Sequence, residues 1–377
     1  MADPTSVTPE DEPQRWAERI RAAAAQGQRL RVQGGRTKAF LRTDDSAHAT
    51  LDTRTWTGIV AHEPTELVVT ARAGTPLAEL EAALAQHGQY LPFEPPHFGA
   101  GATVGGMVAA GLAGPARAAV GGVRDYVLGA RLLNGRGQHL TFGGQVMKNV
   151  AGYDVSRALA GSRGALGVIT EVSLKVLPLP AGEATLRLRL DQASALQRLA
   201  HWRGQPLPLN ASVWFDDGTG GALWVRLRGA AAAVRAASVR LLADADGEVL
   251  PTAAAQTLWP AVREQTLPFF TTPPTPRHDL WRLSLPATTP ALHESLPTLV
   301  EWLGALRWVW ASLEQAETVR AQAAQAGGHA WLWRAAPERT EPLARHSAPP
   351  AAMLALQQRV RHAFDPHGVF DTAFWEV

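Results

Sequence analysis

Cysteine is absent from the 377 residues. Its absence excludes disulfides, thiolate catalysis and Cys-ligated iron–sulfur or zinc centres within this chain. Lysine is almost absent. Only Lys38, Lys148 and Lys175 occur, so 33 of the 36 basic side chains are arginine. A run of 18 apolar residues is also missing, which removes the signature of a membrane-spanning helix. The N-terminus, MADPTSVTPEDEPQ, is polar and acidic with no apolar h-region, and the expected location is the cytoplasm. Basic runs interleaved with aromatics are lacking and the net charge is only +2, which argues against a nucleic-acid partner. No HxH, HExxH or clustered His/Asp/Glu pattern marks a metal site.

What the chain has in excess is glycine, and in one place. Residues 99–171 hold 17 of the 34 glycines. Glycine lacks a Cβ, so its backbone can approach a polyanion closely and adopt positive φ. The stretch reads GAGATVGGMVAAGLAGP, then GGVRDYVLGARLLNGRG, then GGQVMKNVAGYDVSRALAGSRGALGVITEV. Beyond it the composition changes. Eleven of the 13 tryptophans lie after residue 200, and a domain boundary is expected near Pro178-Leu179-Pro180. The length itself suggests about two domains.

In chain order, a polar tail precedes an amphipathic helix from Pro13 to Gln26 that Gly27 ends. The strand Arg29–Gln33 runs into Gly34-Gly35-Arg36-Thr37-Lys38, a double-glycine turn without P-loop spacing. Strands are expected at Gly58–His62 and Glu66–Ala71. Thr75-Pro76 reads as a helix start, with Thr75 as N-cap and Pro76 at the first helical position. Thr103 is expected to cap a second helix, which Pro115 stops, leaving the amides of Val104, Gly105 and Gly106 turned towards an anion. Arg124-Asp125 opens a strand, Asn134-Gly135 is a hairpin turn, and Gln138–Phe142 returns. Lys148–Asp154 leads into a short helix. Gly161–Gly167 is the last glycine loop before the strand Val168–Leu177. In the second half, strand-like pieces at 184–190, 211–215, 223–227, 281–285, 307–310 and 330–334 alternate with helical ones. The helices are expected at 191–203, 229–243, 289–304, 313–326 and 350–363, giving an antiparallel sheet covered by helices on one face.

A Rossmann site does not fit. Gly99-Ala100-Gly101 begins its fingerprint, but Val104 stands where the third glycine belongs, and a proline loop precedes it. Three separate glycine loops can instead surround a dinucleotide pyrophosphate. Their order resembles the FAD-binding domain of the vanillyl-alcohol oxidase/p-cresol methylhydroxylase (PCMH) superfamily. Within it, Arg72–Leu77, Leu91–Pro96, Gly101–Gly106 and Val146–Asp154 are similar to the FAD-binding subunit of bacterial glycolate oxidase. So are Leu280–Ser284, Trp302–Trp308, Ala326–Ala330 and Phe364–Phe370.

The resemblance implies an α+β fold: a two-subdomain PCMH-type FAD domain over 13–180, preceded by a disordered tail (1–12). A smaller α+β cap domain with an antiparallel sheet would follow at 181–345, and a C-terminal helix and tail (346–377) would return towards the FAD domain. It implies that Gly34, Gly35, Arg36, Thr37 and Lys38 line the pyrophosphate, with Gly99, Gly101, Thr103, Val104, Gly105 and Gly106 opposite. Glu94, Pro95 and Pro96 would run near the flavin ring. Arg124, Asp125, Asn149, Gly152, Tyr153 and Asp154 would shape the pocket. Gly161, Gly164, Gly167, Val168 and Ile169 would hold the adenosine half. Superfamily members that tether FAD covalently place a His after the first double glycine; here Arg36 follows Gly34-Gly35, which implies non-covalent FAD. The family tail Phe-Asn-Pro-Gly-Arg is replaced by Phe370-Asp371-Thr372-Ala373-Phe374.

The implied function is the FAD-binding subunit of a heteromeric glycolate oxidase. Its partners would be a catalytic FAD-dependent sister subunit and an iron–sulfur subunit, through which any membrane association would arise. Two other readings stay open: a stand-alone FAD-dependent D-2-hydroxyacid dehydrogenase acting on a small 2-hydroxy acid, and a scaffold that kept the fold without FAD. No catalytic base stands out. His201, His278, His293, His329, His346, His362 and His367 are equivalent candidates at this level.

Overall fold

The computed structural model describes residues 11–42, 48–144, 154–216, 218, 220–292, 295–339, 343–347 and 349–372. The chain forms two compact units. The first takes the residues up to 112, 122–179 and the C-terminal segment from 349, and the second takes 113–121 and 180–348.

In the first unit, β1 (Leu30–Gln33) and β2 (Ala49–Asp52) pair in parallel. A five-stranded antiparallel sheet holds β3 (Ile59–Glu63), β4 (Val68–Arg72), β6 (Val127–Leu133), β7 (His139–Gly143) and β8 (Val168–Lys175) in the order β3-β4-β8-β6-β7. A small ladder joins β5 (Gln89–Tyr90) to β9 (Leu177–Pro178). The helix Glu12–Gln26 buries Trp16, Ile20 and Ala23 on one face, the i, i+4, i+7 stripe that an amphipathic helix requires. That face joins Leu30, Leu51, Leu133, Val168 and Phe370 in one core cluster. Phe370, from the C-terminal segment, thereby reaches the core beside the first strand, with which it forms a parallel bridge at Leu30.

Several local expectations change. Thr75 does not cap a helix. Its buried hydroxyl donates to the Gly58 carbonyl and accepts from the Gly58 amide, and the helix Leu77–Gln86 starts after Pro76. Pro115 does not end the second helix. That helix, Val104–Ala110, stops at Gly111 in the left-handed region (φ 64°). Arg124-Asp125 lies in a 3-10 turn, Val123–Asp125, because the Asp125 carboxylate accepts from the Gly122 amide at 2.8 Å. The Asn134 turn is five residues long. Its side-chain oxygen accepts from the amides of Arg136 and Gln138, and Gly137, rather than Gly135, takes positive φ.

The second unit is one eight-stranded antiparallel sheet. Its strands are β10 (Gly182–Arg189), β11 (Leu209–Phe215), β12 (Ala222–Gly229), β13 (Gly247–Val249), β14 (Asp279–Ser284), β15 (Thr298–Glu301), β16 (Leu306–Ala311) and β17 (His329–Arg334). Their order is β13-β10-β12-β11-β15-β16-β14-β17. The expected helix 289–304 is corrected here. Thr298–Glu301 is a central strand, fully buried and paired on both sides, a place that suits the β-branched Thr298 and Val300. The helices Thr252–Arg263 and Pro268–Thr271 were not expected, although the first buries Ala255, Trp259 and Val262 at the i, i+4, i+7 spacing of an amphipathic helix. On one face, Leu186, Leu188, Leu223 and Val225 pack with the helices Gln192–Arg203 and Ala231–Asp244. On the same side, Trp281, Leu283 and Val309 pack with the helix Ala316–Gln325.

Residues 113–121 join this unit although they sit inside the glycine-rich stretch of the sequence. The Trp302 indole donates to the Gly114 carbonyl at 3.0 Å, and the Arg117 guanidinium lies 4.6 Å from the same ring. The tryptophans expected in a core or an interface are core: Trp302, Trp308, Trp310, Trp331 and Trp333 are all buried.

Asp279, fully buried at the start of β14, accepts from the Ala336 amide at 2.8 Å and is ion-paired with Arg339. Replacing it leaves a buried guanidinium without its counter-charge. Asp279→Ala should therefore cost roughly 3 kcal/mol in the unfolding transition of this unit, measured by urea denaturation.

Candidate functional site

A cleft in the first unit gathers all three glycine segments. It is lined by Arg31–Ala39, Leu41, Arg42, Thr53, Ala73, Thr103, Gly105, Gly106, Ala109, Ala110, Arg163, Gly164, Gly167 and Ile169. Of the residues expected to bind a cofactor, Gly34, Gly35, Arg36, Thr37, Lys38, Thr103, Gly105, Gly106, Gly164, Gly167 and Ile169 line it.

The glycines first serve contacts between segments. A Cβ on Gly35 would run into the Gly101 carbonyl, and one on Gly34 would sit 2.6 Å from the Thr103 hydroxyl. A Cβ on Gly105 would lie 2.6 Å from the Ala73 Cβ, and one on Gly111 would lie 2.7 Å from the Gly161 amide. The last loop is tied to the helix end by Gly161 N–H donating to Val108 and Arg163 N–H to Ala109.

The expected helix-terminal anion site is corrected by the hydrogen bonds. Thr103 caps the helix by accepting from Gly106, but Val104 donates to the Thr75 carbonyl and Gly105 to the Ala73 carbonyl. All three amides are used inside the protein. Donors for an anion come instead from the first loop. The amides of Gly34, Gly35, Arg36 and Thr37 donate to no described residue. Arg36 stands at φ 59°, the left-handed turn that aims successive amides to one side. Arg163, also lining the cleft, has φ 51°.

The electrostatics agree. Arg31, Arg36, Lys38, Arg42 and Arg163 make five cations, and no carboxylate is among the described lining residues. Lys38 has a structural partner as well: its ammonium donates to the His97 carbonyl at 3.1 Å and lies 5.5 Å from the Phe98 ring. This contact ties the loop after Glu94, Pro95 and Pro96 to the first glycine loop. Those three residues, with Gly99, Gly101, Val104, Arg124, Asp125, Asp154, Gly161 and Val168, do not line the cleft. Asp154 caps the short helix Val155–Ala158 and pairs with Arg157 at 3.2 Å. Asn149, Gly152 and Tyr153 lie outside the described residues.

Sequence reasoning missed Arg31, Val32, Gln33, Ala39, Leu41, Arg42, Thr53, Ala73, Ala109 and Ala110 as lining residues. Ala109 and Ala110 carried a signal. They lie four residues after Gly105 and Gly106, on the same helix face. Arg42 and Thr53 carried none, because they come together only through chain packing.

A family described as an FAD binding domain matches residues 6–143. The glycolate oxidase subunit GlcE of Escherichia coli K12 is 45% identical over 361 residues, covering 96% of both chains. The chain belongs to the GlcE family. Other relatives match only a part: GlcD, another glycolate oxidase subunit, from Bacillus subtilis, is 32% identical over 32% of this chain and 25% of its own length. The D-2-hydroxyglutarate dehydrogenase of Xanthomonas citri is 29% identical over 40% of this chain and 31% of its own. For the fold alone, an alkyldihydroxyacetonephosphate synthase structure matches with a TM-score of 0.64 at 16% identity, covering 94% of this chain and 74% of that one. The likeness to GlcE spans both units; the partial relatives reach 40% of the chain at most.

The second unit of this GlcE-family chain carries a polar constellation on one sheet face. Cross-strand partners share a face, so the pairs Arg282–Trp308, Ser284–Leu306, Leu306–Glu301 and Ser284–His329 put Arg282, Trp308, Glu301 and His329 together. Glu301 is buried and accepts from the Trp308 indole at 2.6 Å. Burial pushes its carboxyl up to about 7, against the opposing pull of Trp308 and Arg282. His329 is held below the usual histidine range by burial and by Arg282. Among the other histidines, His201 bonds Gln205, His278 bonds Thr275, and His346 stacks on Trp331. His362 sits in the helix Ala351–Phe364, His367 lies in the turn after it, and His293 lies outside the described residues. Among the described histidines, His329 and His346 share the face of Arg282 and Glu301, His329 opposite Ser284 and His346 opposite Trp331.

Two outcomes follow from this geometry. Gly35→Ala should destabilise the first unit by roughly 1–3 kcal/mol, because the Gly101 backbone must move, and thermal unfolding reads the loss. Glu301 carries a pH dependence of definite sign. The folded protein keeps its proton up to about pH 7, whereas the unfolded chain releases it near the ordinary 4.5. Between those values the native state binds more protons, so stability falls as pH rises, by about 3 kcal/mol in all. Glu301→Gln keeps an acceptor for Trp308 and abolishes this slope. Urea unfolding at pH 5 and pH 8 should show the variant gaining on the native protein at the higher pH.

Proposed function

We propose that this chain is the FAD-binding subunit of a heteromeric glycolate oxidase, holding its FAD non-covalently. The cleft, with five cations and no carboxylate among its described lining residues and four successive amides that donate to no described residue, carries this reading. These groups fit a pyrophosphate: guanidinium and ammonium groups match its charge, and the Gly34–Thr37 amides match its oxygens. Gly34 and Gly35 let that loop lie against Gly101 and Thr103, which fixes the direction of its amides. Absence of a histidine from the lining, with Arg36 after the double glycine, supports a non-covalent cofactor.

The chemistry FAD supplies when bound is acceptance of two electrons and the α-hydrogen of a 2-hydroxy acid. The protein must add a cation for the substrate carboxylate and an acceptor for its hydroxyl proton. With no cysteine in the chain, onward electron transfer through an iron–sulfur cluster requires a partner subunit. The GlcE and GlcD names, both glycolate oxidase subunits, support an assembly of this kind with a sister flavoprotein. Among the described residues no helix is long and apolar enough to cross a membrane, consistent with a cytoplasmic subunit that meets a membrane only through its partners.

The full-length chain purified with FAD should be yellow, and acid precipitation should leave the flavin in the supernatant. Glycolate-dependent dye reduction should need the co-expressed partner subunits. A colourless chain after refolding with FAD would overturn the cofactor reading, and full activity of the isolated chain would overturn the subunit reading.

A further inference from the structure

The C-terminal segment reaches two arginines of the cofactor cleft through one carboxylate that is not itself a lining residue. Asp371, buried at 4% side-chain exposure, accepts from Arg42 Nη2 at 2.7 Å and from Arg31 Nε at 3.3 Å. Both arginines line the cleft. The backbone holds this carboxylate firmly. The Leu30 amide donates to Val369 at 2.7 Å and the Asp371 amide donates back to Leu30 at 3.0 Å. Phe370 and Val369 are each 1% exposed in the first-unit core. Upstream, the two Asp365 oxygens accept from the amides of Val369 and Phe370, and the Gly135 amide donates to Phe364. Residues 364–371 are therefore anchored at both ends.

We infer that the segment 365–372 is a built part of the cofactor site and that Asp371 is a positioning residue, orienting Arg31 and Arg42 towards the anion in the cleft. The inference rests on the FAD reading above. One carboxylate between two guanidinium groups leaves a net positive charge, so the pair stays attractive to a diphosphate while each arginine loses rotamer freedom before binding. By linkage, the cofactor must also stabilise the docked segment, since a segment that favours binding is favoured by it to the same extent.

The experiment uses the full-length chain stripped of flavin, with FAD affinity followed by flavin fluorescence. Asp371→Ala should raise the Kd about tenfold, the scale expected when a group that orients ligand-binding side chains is lost. In an Arg31→Ala/Arg42→Ala background the same change should have no further effect, because Asp371 acts through those arginines. Hydrogen exchange of residues 365–372 should slow when FAD is added to the native chain, and less so in Asp371→Ala. An unchanged or tighter Kd in Asp371→Ala would overturn the inference, since the carboxylate would then only quench positive charge. An equal loss in both backgrounds would also overturn it, as the role would be general structural support. If the native chain binds no FAD, the cofactor reading itself fails, a different result from either of these.

Discussion

The close approach of backbone to backbone between the glycine segments is the constraint on which the cleft depends. Gly35 rests on Gly101, Gly34 on Thr103, Gly105 on Ala73 and Gly111 on Gly161. Each contact removes the room for a side chain, and together they bring four distant stretches to one wall. The amides of Val104 and Gly105 are consumed in holding this arrangement, by the carbonyls of Thr75 and Ala73. In one segment, Gly34–Thr37, the amides donate to no described residue. Glycine-rich sequence here is first a packing device and through that packing a binding device.

Charge completes what the backbone begins. The cleft draws its cations from β1, from the first loop, from the turn ending at Arg42 and from the last glycine loop. The first loop supplies two of the five, Arg36 and Lys38, and the other three elements one each. Lys38 shows why a compact ammonium suits its position: it reaches the His97 carbonyl and the Phe98 ring while still lining the cleft. Asp371 belongs to the same design. Its carboxylate stands at a point where two of these arginines converge.

The second unit uses its sheet differently. One face is a packed hydrophobic core under three helices, and the other carries tryptophans, arginines and Glu301. The indole N–H groups of Trp302, Trp308, Trp310 and Trp333 each find an acceptor, which is how large aromatic rings are buried without orphaned donors. A carboxyl so placed is costly when ionised. Keeping it there makes stability depend on pH, in the direction opposite to that of an ion-paired acid.

Local chemistry determined much of this from the sequence alone. The strand before Gly34, the Thr103 cap, the glycine cap of the first helix and most strands of the second unit follow from periodicity and turn residues. Membership in an FAD-binding family follows from the order of the glycine motifs. What the sequence could not decide is which amides remain available, because that depends on carbonyls 29 and 32 residues away, as with Val104 and Thr75 or Gly105 and Ala73. Nor could it place Thr298–Glu301 in the centre of a sheet, since a four-residue run ending in a glutamate reads equally well as helix until neighbours pair with it. The segment 113–121 left the first unit because Trp302 offered its indole donor and ring face, a partner 188 residues distant from Gly114. Asp371 met Arg31 across 340 residues for the same reason: burial of Phe370 beside Leu30 brought the two ends of the chain together.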